Sequence, residues 1–248
     1  MHISIAAEKI FSIGNFSVTN TLLMAWFVAG LLIASSVIFL RRPALVPAGF
    51  QNLFEYATES FVGLMQGVLG GRERAERFFP FIVTIFLFIL ASNWIGLLPV
   101  LGTVGLFAPS HADPSKTVFV PLLRSAASDL NFTLALSIIS VVAIQIIGVA
   151  SIGFFKYAGK FITFKSPLDF FVGILELISE SAKLVSFSFR LFGNIFAGEV
   201  LLIIVGVLVP FAVPVPFIAL EFFSGFVQAL VFSLLTLMFI AIATVEHH

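Results

Sequence analysis

The stretch PLDFFVGILELISESAKLVSFSFRLFGNIFAGEVLLIIVGVL, residues 167–208, decides how this chain is built. It is apolar over most of its length, and its only proline is its first residue. Wound as an α-helix at 1.5 Å per residue, about 42 residues extend about 60 Å, twice the ~30 Å hydrocarbon layer of a bilayer. Such a helix must tilt, bend or lie partly flat. It nevertheless carries Glu176, Glu180, Lys183, Arg190 and Asn194. At about 100° per residue these fall at roughly 0°, 40°, −20°, −40° and 0°, within about 80° of one another. The other faces are Leu, Ile, Val and Phe. A charged stripe on a helix of this kind must face protein, a partner or a water-filled cavity.

The rest of the 248-residue chain has the same character. Hydrophobic residues make up 60% and charged residues 10%, against about a quarter charged in soluble domains. Lipid is the natural solvent for such a surface. The 13 basic and 13 acidic residues cancel, so no nucleic-acid footprint is visible. The absence of cysteine excludes disulfides, iron–sulfur clusters and thiolate zinc sites. The four histidines, His2, His111, His247 and His248, lie outside the apolar runs. A haem or metal site within the membrane therefore lacks its usual ligands, and no cofactor is expected.

Three further runs are long enough to cross a bilayer. Asn20 to Leu40 is stopped by Arg41, Arg42 and Pro43, Phe78 to Leu101 follows, and Leu130 to Phe155 is stopped by Lys156. The first is too long for a signal-peptide core and lacks a basic lead, so it reads as a retained span. Pro210, Pro214 and Pro216 mark a turn, which makes 167–208 and 216–245 a helical hairpin. Five spans result. Between the first two, Phe50, Leu53, Phe54, Ala57, Phe61, Leu64 and Val68 recur at helical spacing among Glu55, Glu59 and Gln66. This predicts an amphipathic helix at the membrane surface. Gly63, Gly67 and Gly71, four apart, either permit close helix packing or merely loosen the segment. Residues 102–129, with Gly102, Gly105, Pro109, Pro114 and Pro121, are expected to form an irregular water-exposed loop, ending on Asp129 and Asn131 as helix-start residues. The fold class is thus all-α and polytopic: a single membrane domain over 1–248. It comprises 1–77 (first span and amphipathic segment), 78–155 (second and third spans) and 156–248 (the long, tilted C-terminal hairpin).

Orientation follows from basic residues. Arg41, Arg42, Arg72, Arg74, Arg77, Lys156, Lys160 and Lys165 flank one side, and Lys9, Lys116 and Arg124 the other. The first group belongs in the cytoplasm or mitochondrial matrix, with the N-terminus outside and the C-terminus inside.

Arg190 is the deepest charge. Arginine at a helix centre costs about 2.5–3.5 kcal/mol on insertion scales, and it cannot readily lose its proton. One reading is a buried ion pair. Glu180, about 15 Å away along the axis, and Glu199, about half a turn round, cannot reach it directly within the helix, so such a pair would use another helix. The other reading is transport. A turn near Pro210 sets Glu199 and Glu221 at similar depth, and Arg190 level with the region of Gln228 to Leu230. Glu199 and Glu221 then lie toward the outer side, Glu176 and Glu180 toward the inner side, and a fixed cation between them. Carboxyls in low dielectric can exchange protons near neutral pH. This arrangement forms two half-paths separated by a barrier, with the gap crossed by a mobile carrier on another subunit. Lys183 can pair with Glu176 or Glu180, and the three-residue spacing favours Glu180.

SFSFRLFGNIFAGEVLL at 186–202 resembles the bacterial-type subunit a family of the rotary F-type ATP synthase membrane sector. SNWIGLLPV at 92–100, DLNFTLALS at 129–137 and the C-terminal LEFFSGFVQALVFSLL extend the resemblance over most of the chain. It implies a stator subunit of the proton-translocating sector that carries no nucleotide chemistry itself. Arg190 resembles the arginine that faces the rotor-ring carboxylate and blocks a direct leak, with Asn194 and Gln228 beside it. Glu199 and Glu221 resemble the outer-channel pair, the second of which is His in many members. Glu176 resembles the acid of the inner exit path, with Glu180 and Lys183 as possible accessories. The implied partners are the ring of c subunits, peripheral-stalk b subunits, the rest of the complex, the bilayer and protons. The implied location is the bacterial plasma membrane or an organelle inner membrane. A secondary transporter would instead show repeated halves, which are not visible. A scaffold with internally paired charges would tolerate swapping Arg190 with its partner.

Overall fold

The structure, a computed structural model, describes residues 7–14, 16–40, 49–98, 103–109, 117–161, 167–209 and 213–244. In chain order its elements are β1 (Lys9–Ile13), β2 (Phe16–Thr19), α1 (Asn20–Leu40), α2 (Phe50–Leu69), α3 (Arg72–Gly96), β3 (Gly105–Pro109), β4 (Thr117–Pro121), a 3-10 turn at Ala126–Ser128, α4 (Leu130–Ile152), α5 (Phe154–Gly159), α6 (Pro167–Leu208) and α7 (Pro214–Ala243). Among the described residues five helices, α1, α3, α4, α6 and α7, are long and apolar enough to span a membrane. The chain is a multi-pass membrane protein of the helical class expected.

Three details differ from the sequence reading. The stretch 102–129 is not irregular where it is described: β3 and β4 pair antiparallel, with Gly105 opposite Pro121 and Pro109 opposite Thr117. Pro109 and Pro121 sit at strand ends, where no ladder donor is lost. A second hairpin, β1–β2, precedes α1. The third apolar run divides at Gly153, whose φ of 90° an L side chain rarely adopts. The N–H of Gly153 closes α4 on the Val149 carbonyl, and its own carbonyl accepts the first bond of α5 from Tyr157. The turn at 210–212 and the basic residues Arg41, Arg42 and Lys165 lie outside the described residues.

Packing groups the chain into two compact units. One comprises Met1–Ile38, Leu87–Thr133 and Phe189–Ala229. Its core is Met24, Ala25, Val28 and Ala126, flanked by Leu32, Phe88, Ala91, Ile95, Leu123 and Phe132. Gly96 lets Ser125 approach closely: a Cβ there would stand 2.6 Å from that of Ser125. Asp129 binds the unit together at the start of α4. Its Oδ1 accepts the Asn131 N–H at 2.9 Å, capping the helix, and its Oδ2 accepts the Thr21 hydroxyl of α1 at 2.8 Å. Both ends of this link are buried.

The other unit comprises Phe39–Phe86, Leu134–Ser188 and Leu230–His248. Here α2 folds back on α3 through Gly70, whose φ of 69° gives α2 a left-handed cap and whose N–H meets the Gln66 carbonyl. The buried face of α2 is Phe61, Val62, Met65 and Leu69, with the Phe61 ring against Phe79 and Phe86. Of the apolar stripe expected from periodicity, Phe61 is buried but Leu53, Phe54, Leu64 and Val68 stay exposed. The two apolar faces serve different neighbours, α3 and the surroundings. Nothing lies within 4 Å of a Cβ placed on Gly63, Gly67 or Gly71, so they mediate no close packing among the described residues. Arg72 grips Glu59 with two nitrogens and Glu76 with a third. The guanidinium holds the Glu59 carboxyl below the usual carboxylate range. At this exposure the pair contributes little stability.

Asp129→Ala removes a cap and the carboxylate acceptor of the buried Thr21 hydroxyl, leaving it Thr19 Oγ1 at 3.1 Å. The expected loss is about 1–3 kcal/mol, read as a lower thermal-unfolding midpoint of the purified protein, with Asp129→Asn intermediate because one acceptor remains. An unchanged midpoint in Asp129→Ala would remove this link from the account.

Candidate functional site

Within the unit that contains Phe189–Ala229, α6 and α7 approach closely. The carboxyl of Glu221 lies where a Cβ on Gly198 would be, overlapping its carbon and both oxygens. Only glycine permits that approach, which sets Glu221 against the backbone one residue before Glu199. One turn further along, Asn194 and Ser224 are bonded in both senses: the amide Nδ2 donates to Ser224 Oγ at 2.7 Å, and Oγ donates to Asn194 Oδ1 at 2.9 Å. Continuing the same register brings Arg190 level with Gln228. From α3, Asn93 donates to the Gly225 carbonyl at 3.1 Å and Trp94 to the Phe222 carbonyl at 3.0 Å. These bonds seat α7 against α3, and Gly225 lets the Asn93 side chain come within 3.1 Å of a Cβ there.

The two acids near this crossing differ in their surroundings. Glu199 is clamped by Arg124, whose Nε lies 2.9 Å and Nη2 3.1 Å from its two oxygens. Glu221 is buried and makes neither an ion pair nor a hydrogen bond among the described residues. Gln228 is buried too, and its Nε2 has no partner among the described residues. Such groups cost free energy unless water or a partner satisfies them.

The other candidate acids lie in the unit that contains Leu134–Ser188. Glu176 pairs with Lys160 at 2.7 Å. Glu180 accepts from Lys183 at 2.6 Å through Oε1 and from Gln145 at 2.8 Å through Oε2. Of the two partners the sequence offered Lys183, the structure selects Glu180. The Lys183 ammonium also stands 4.4 Å from the centre of the Phe239 ring, a favourable cation–π contact. Tyr157 donates to Gln145 Oε1 at 2.6 Å. Burial, with the charges of Glu180 and Glu176, pushes the Tyr157 hydroxyl up to about 12, so it remains a donor at neutral pH. The Glu180–Lys183 pair is drier than Glu176–Lys160, with side chains 10% and 14% exposed against 31% and 22%.

Arg190 is exposed on α6, beside exposed Phe189. The acids nearest to it along the helix, Glu180 and Glu199, are engaged by Lys183 and Arg124. The structure therefore brings Glu199, Glu221, Asn194 and, by register, Arg190 and Gln228 to one helical crossing. It sets Glu176, Glu180 and Lys183 in a second polar cluster. Sequence reading missed Arg124, Lys160, Gln145, Tyr157, Ser224, Asn93 and Trp94 as members. A lone Gln in the apolar run 130–155 and the basic residues flanking the spans were the available signals.

Residues 22–241 match the family model described as ATP synthase A chain. This covers the whole of α2 to α6, nearly all of α1 and α7, and every residue of both clusters. The chain therefore belongs to the ATP synthase A chain family, the proton-conducting stator subunit of the membrane sector, with nucleotide catalysis residing on other subunits.

Proposed function

We propose that Arg190 is the barrier between two proton half-paths. The observation that carries this reading is an exposed arginine near the middle of a 42-residue membrane helix. A permanent cation facing lipid would be costly. A partner carrying a carboxylate removes that cost, and the ring of c subunits in the complex is that partner. Protons then cannot cross directly, because the fixed charge repels them, and must ride the ring instead.

The outer half-path runs past Glu221 and Glu199. Glu221 takes and releases the proton, since no cation among the described residues holds it, while Arg124 fixes the orientation of Glu199. Asn194 and Gln228 supply polar groups near the arginine. The inner half-path leaves by way of Glu176, the more exposed of the two inner ion-paired acids. Glu180 and Lys183 neutralise one another beside it. The excess of basic residues around 41–77 and 156–165 orients that end toward the cytoplasm, with the N-terminus outside and the C-terminus inside. We assign the chain to the bacterial plasma membrane, working as one membrane domain over 1–248. In this reading 1–77 holds the first span and the surface helix, 78–155 the second and third spans and 156–248 the conducting hairpin. The exposed apolar residues of α2 suit lipid and the peripheral-stalk b subunits.

In inverted vesicles carrying the assembled complex, Arg190→Ala should abolish ATP-driven acidification and raise passive proton leak. Preserved pumping would sink the barrier assignment. Gly198→Ala should displace the Glu221 carboxyl and slow proton flux at least ten-fold, a loss of about 1.4 kcal/mol in the limiting step. Glu221→Gln should do the same with assembly intact, and wild-type flux in both would take Glu221 off the path.

A further inference from the structure

Two rungs join the segment after the Gly153 break to α6. Tyr157 reaches Glu180 through Gln145, and Lys160 reaches Glu176 directly. On each side the two residues are about one helical turn apart. We propose that Tyr157 and Gln145 are positioning residues for the inner proton-exchange site, docking α5 so that Lys160 is held against Glu176. The inference rests on the reading that Glu176 lies on the inner path.

The first rung is a brace with a fixed direction. Glu180 is bonded at both oxygens, to Lys183 and to Gln145. A carboxylate only accepts, so the Gln145 amide must turn its NH2 toward Glu180 and its carbonyl toward Tyr157. Tyr157 must then donate, as a protonated hydroxyl does. An amide between two such groups does not hand protons on without a costly tautomer change. The chain of bonds therefore holds position rather than conducting, and the wetter Glu176–Lys160 pair is left as the exchanging group.

Two glycines cut the seats for this segment. A Cβ on Gly148 of α4 would stand 2.5 Å from Tyr157 Cε2 and 2.9 Å from its Cζ. A Cβ on Gly173 of α6 would overlap the Phe161 carbonyl. The Tyr157 and Phe161 rings meet edge to face at 5.6 Å. The Lys160 N–H closes on the Tyr157 carbonyl at 3.1 Å. Lys160 is thus anchored on both sides, by the tyrosine ring against α4 and by the next backbone carbonyl against α6. A long lysine stem has much rotamer freedom to lose, and a docked backbone reduces what is left to the side chain alone.

The experiment measures proton flux in vesicles carrying the complex, normalised to assembled subunit, for Tyr157→Phe, Gln145→Leu, Lys160→Met, Lys160→Arg and Glu176→Gln. Tyr157→Phe keeps the ring in its seat and removes only the hydroxyl. It and Gln145→Leu should each slow flux by roughly three- to ten-fold, the span of one net hydrogen bond. Lys160→Met should slow it at least as much and Lys160→Arg should retain most of it. The double variant Tyr157→Phe/Lys160→Met should be no slower than Lys160→Met alone, because the brace acts only through the lysine. Additive losses would overturn the inference, as would wild-type flux in both Tyr157→Phe and Gln145→Leu. Wild-type flux in Glu176→Gln would overturn the inner-path reading itself. Slow Glu176→Gln with unaffected brace variants would overturn the present inference alone.

Discussion

An ionised side chain in an apolar helix must find its counter-charge, and the rest of this chain is arranged around that demand on α6. Three acids on that helix meet three cations: Glu176 with Lys160, Glu180 with Lys183 and Glu199 with Arg124. Two of the cations come from outside the helix, one just past α5 and one just past β4. Ion pairs of this kind contribute little net stability, since desolvation offsets much of the Coulomb attraction. Their effect is on specificity. A displaced connection would strand a charge in a poor solvent, and that penalty selects one placement of each connection.

Association of helices in lipid lacks the hydrophobic driving force that operates in water, so close packing and polar bonds must supply it. Glycines provide the proximity. Gly198 and Gly225 let α7 residues and Asn93 approach, Gly96 admits Ser125, and Gly148 and Gly173 seat the segment around Tyr157. Side-chain donors then bond helix carbonyls or each other, as Asn93 and Trp94 do on α7 and Asn194 does with Ser224. The residues that hold the helices are thus interleaved with the charged residues of the two polar clusters.

Stability and transport make opposite demands on an acid. A carboxylate bonded at both oxygens, as Glu180 is, is fixed in position. Glu221 has the reverse character, buried and without an ion pair among the described residues. Among the cations, Arg124, Lys160 and Lys183 each neutralise an acid of this chain, and Arg190 is exposed on α6.

Local periodicity determined the five spans, the polar stripe of α6 and the Lys183–Glu180 pair, because 3.6 residues per turn fixes which neighbours share a face. The RLFGN core at 190–194 pointed to the family for the same reason: its residues are contiguous. Tertiary structure alone decided what crosses between elements. Arg124 and Glu199 are 75 residues apart, and nothing in the spacing of either distinguishes a partner from a surface charge. Gln145 and Tyr157 belong to the Glu180 cluster only because Gly153 turns the chain and Gly148 leaves room for a ring. The buried face of α2 differed from its expected stripe because the cap at Gly70 aims the helix onto α3. In each case the deciding quantity is the packing register of two elements, and it depends on side-chain volumes and on bonds formed at once along both.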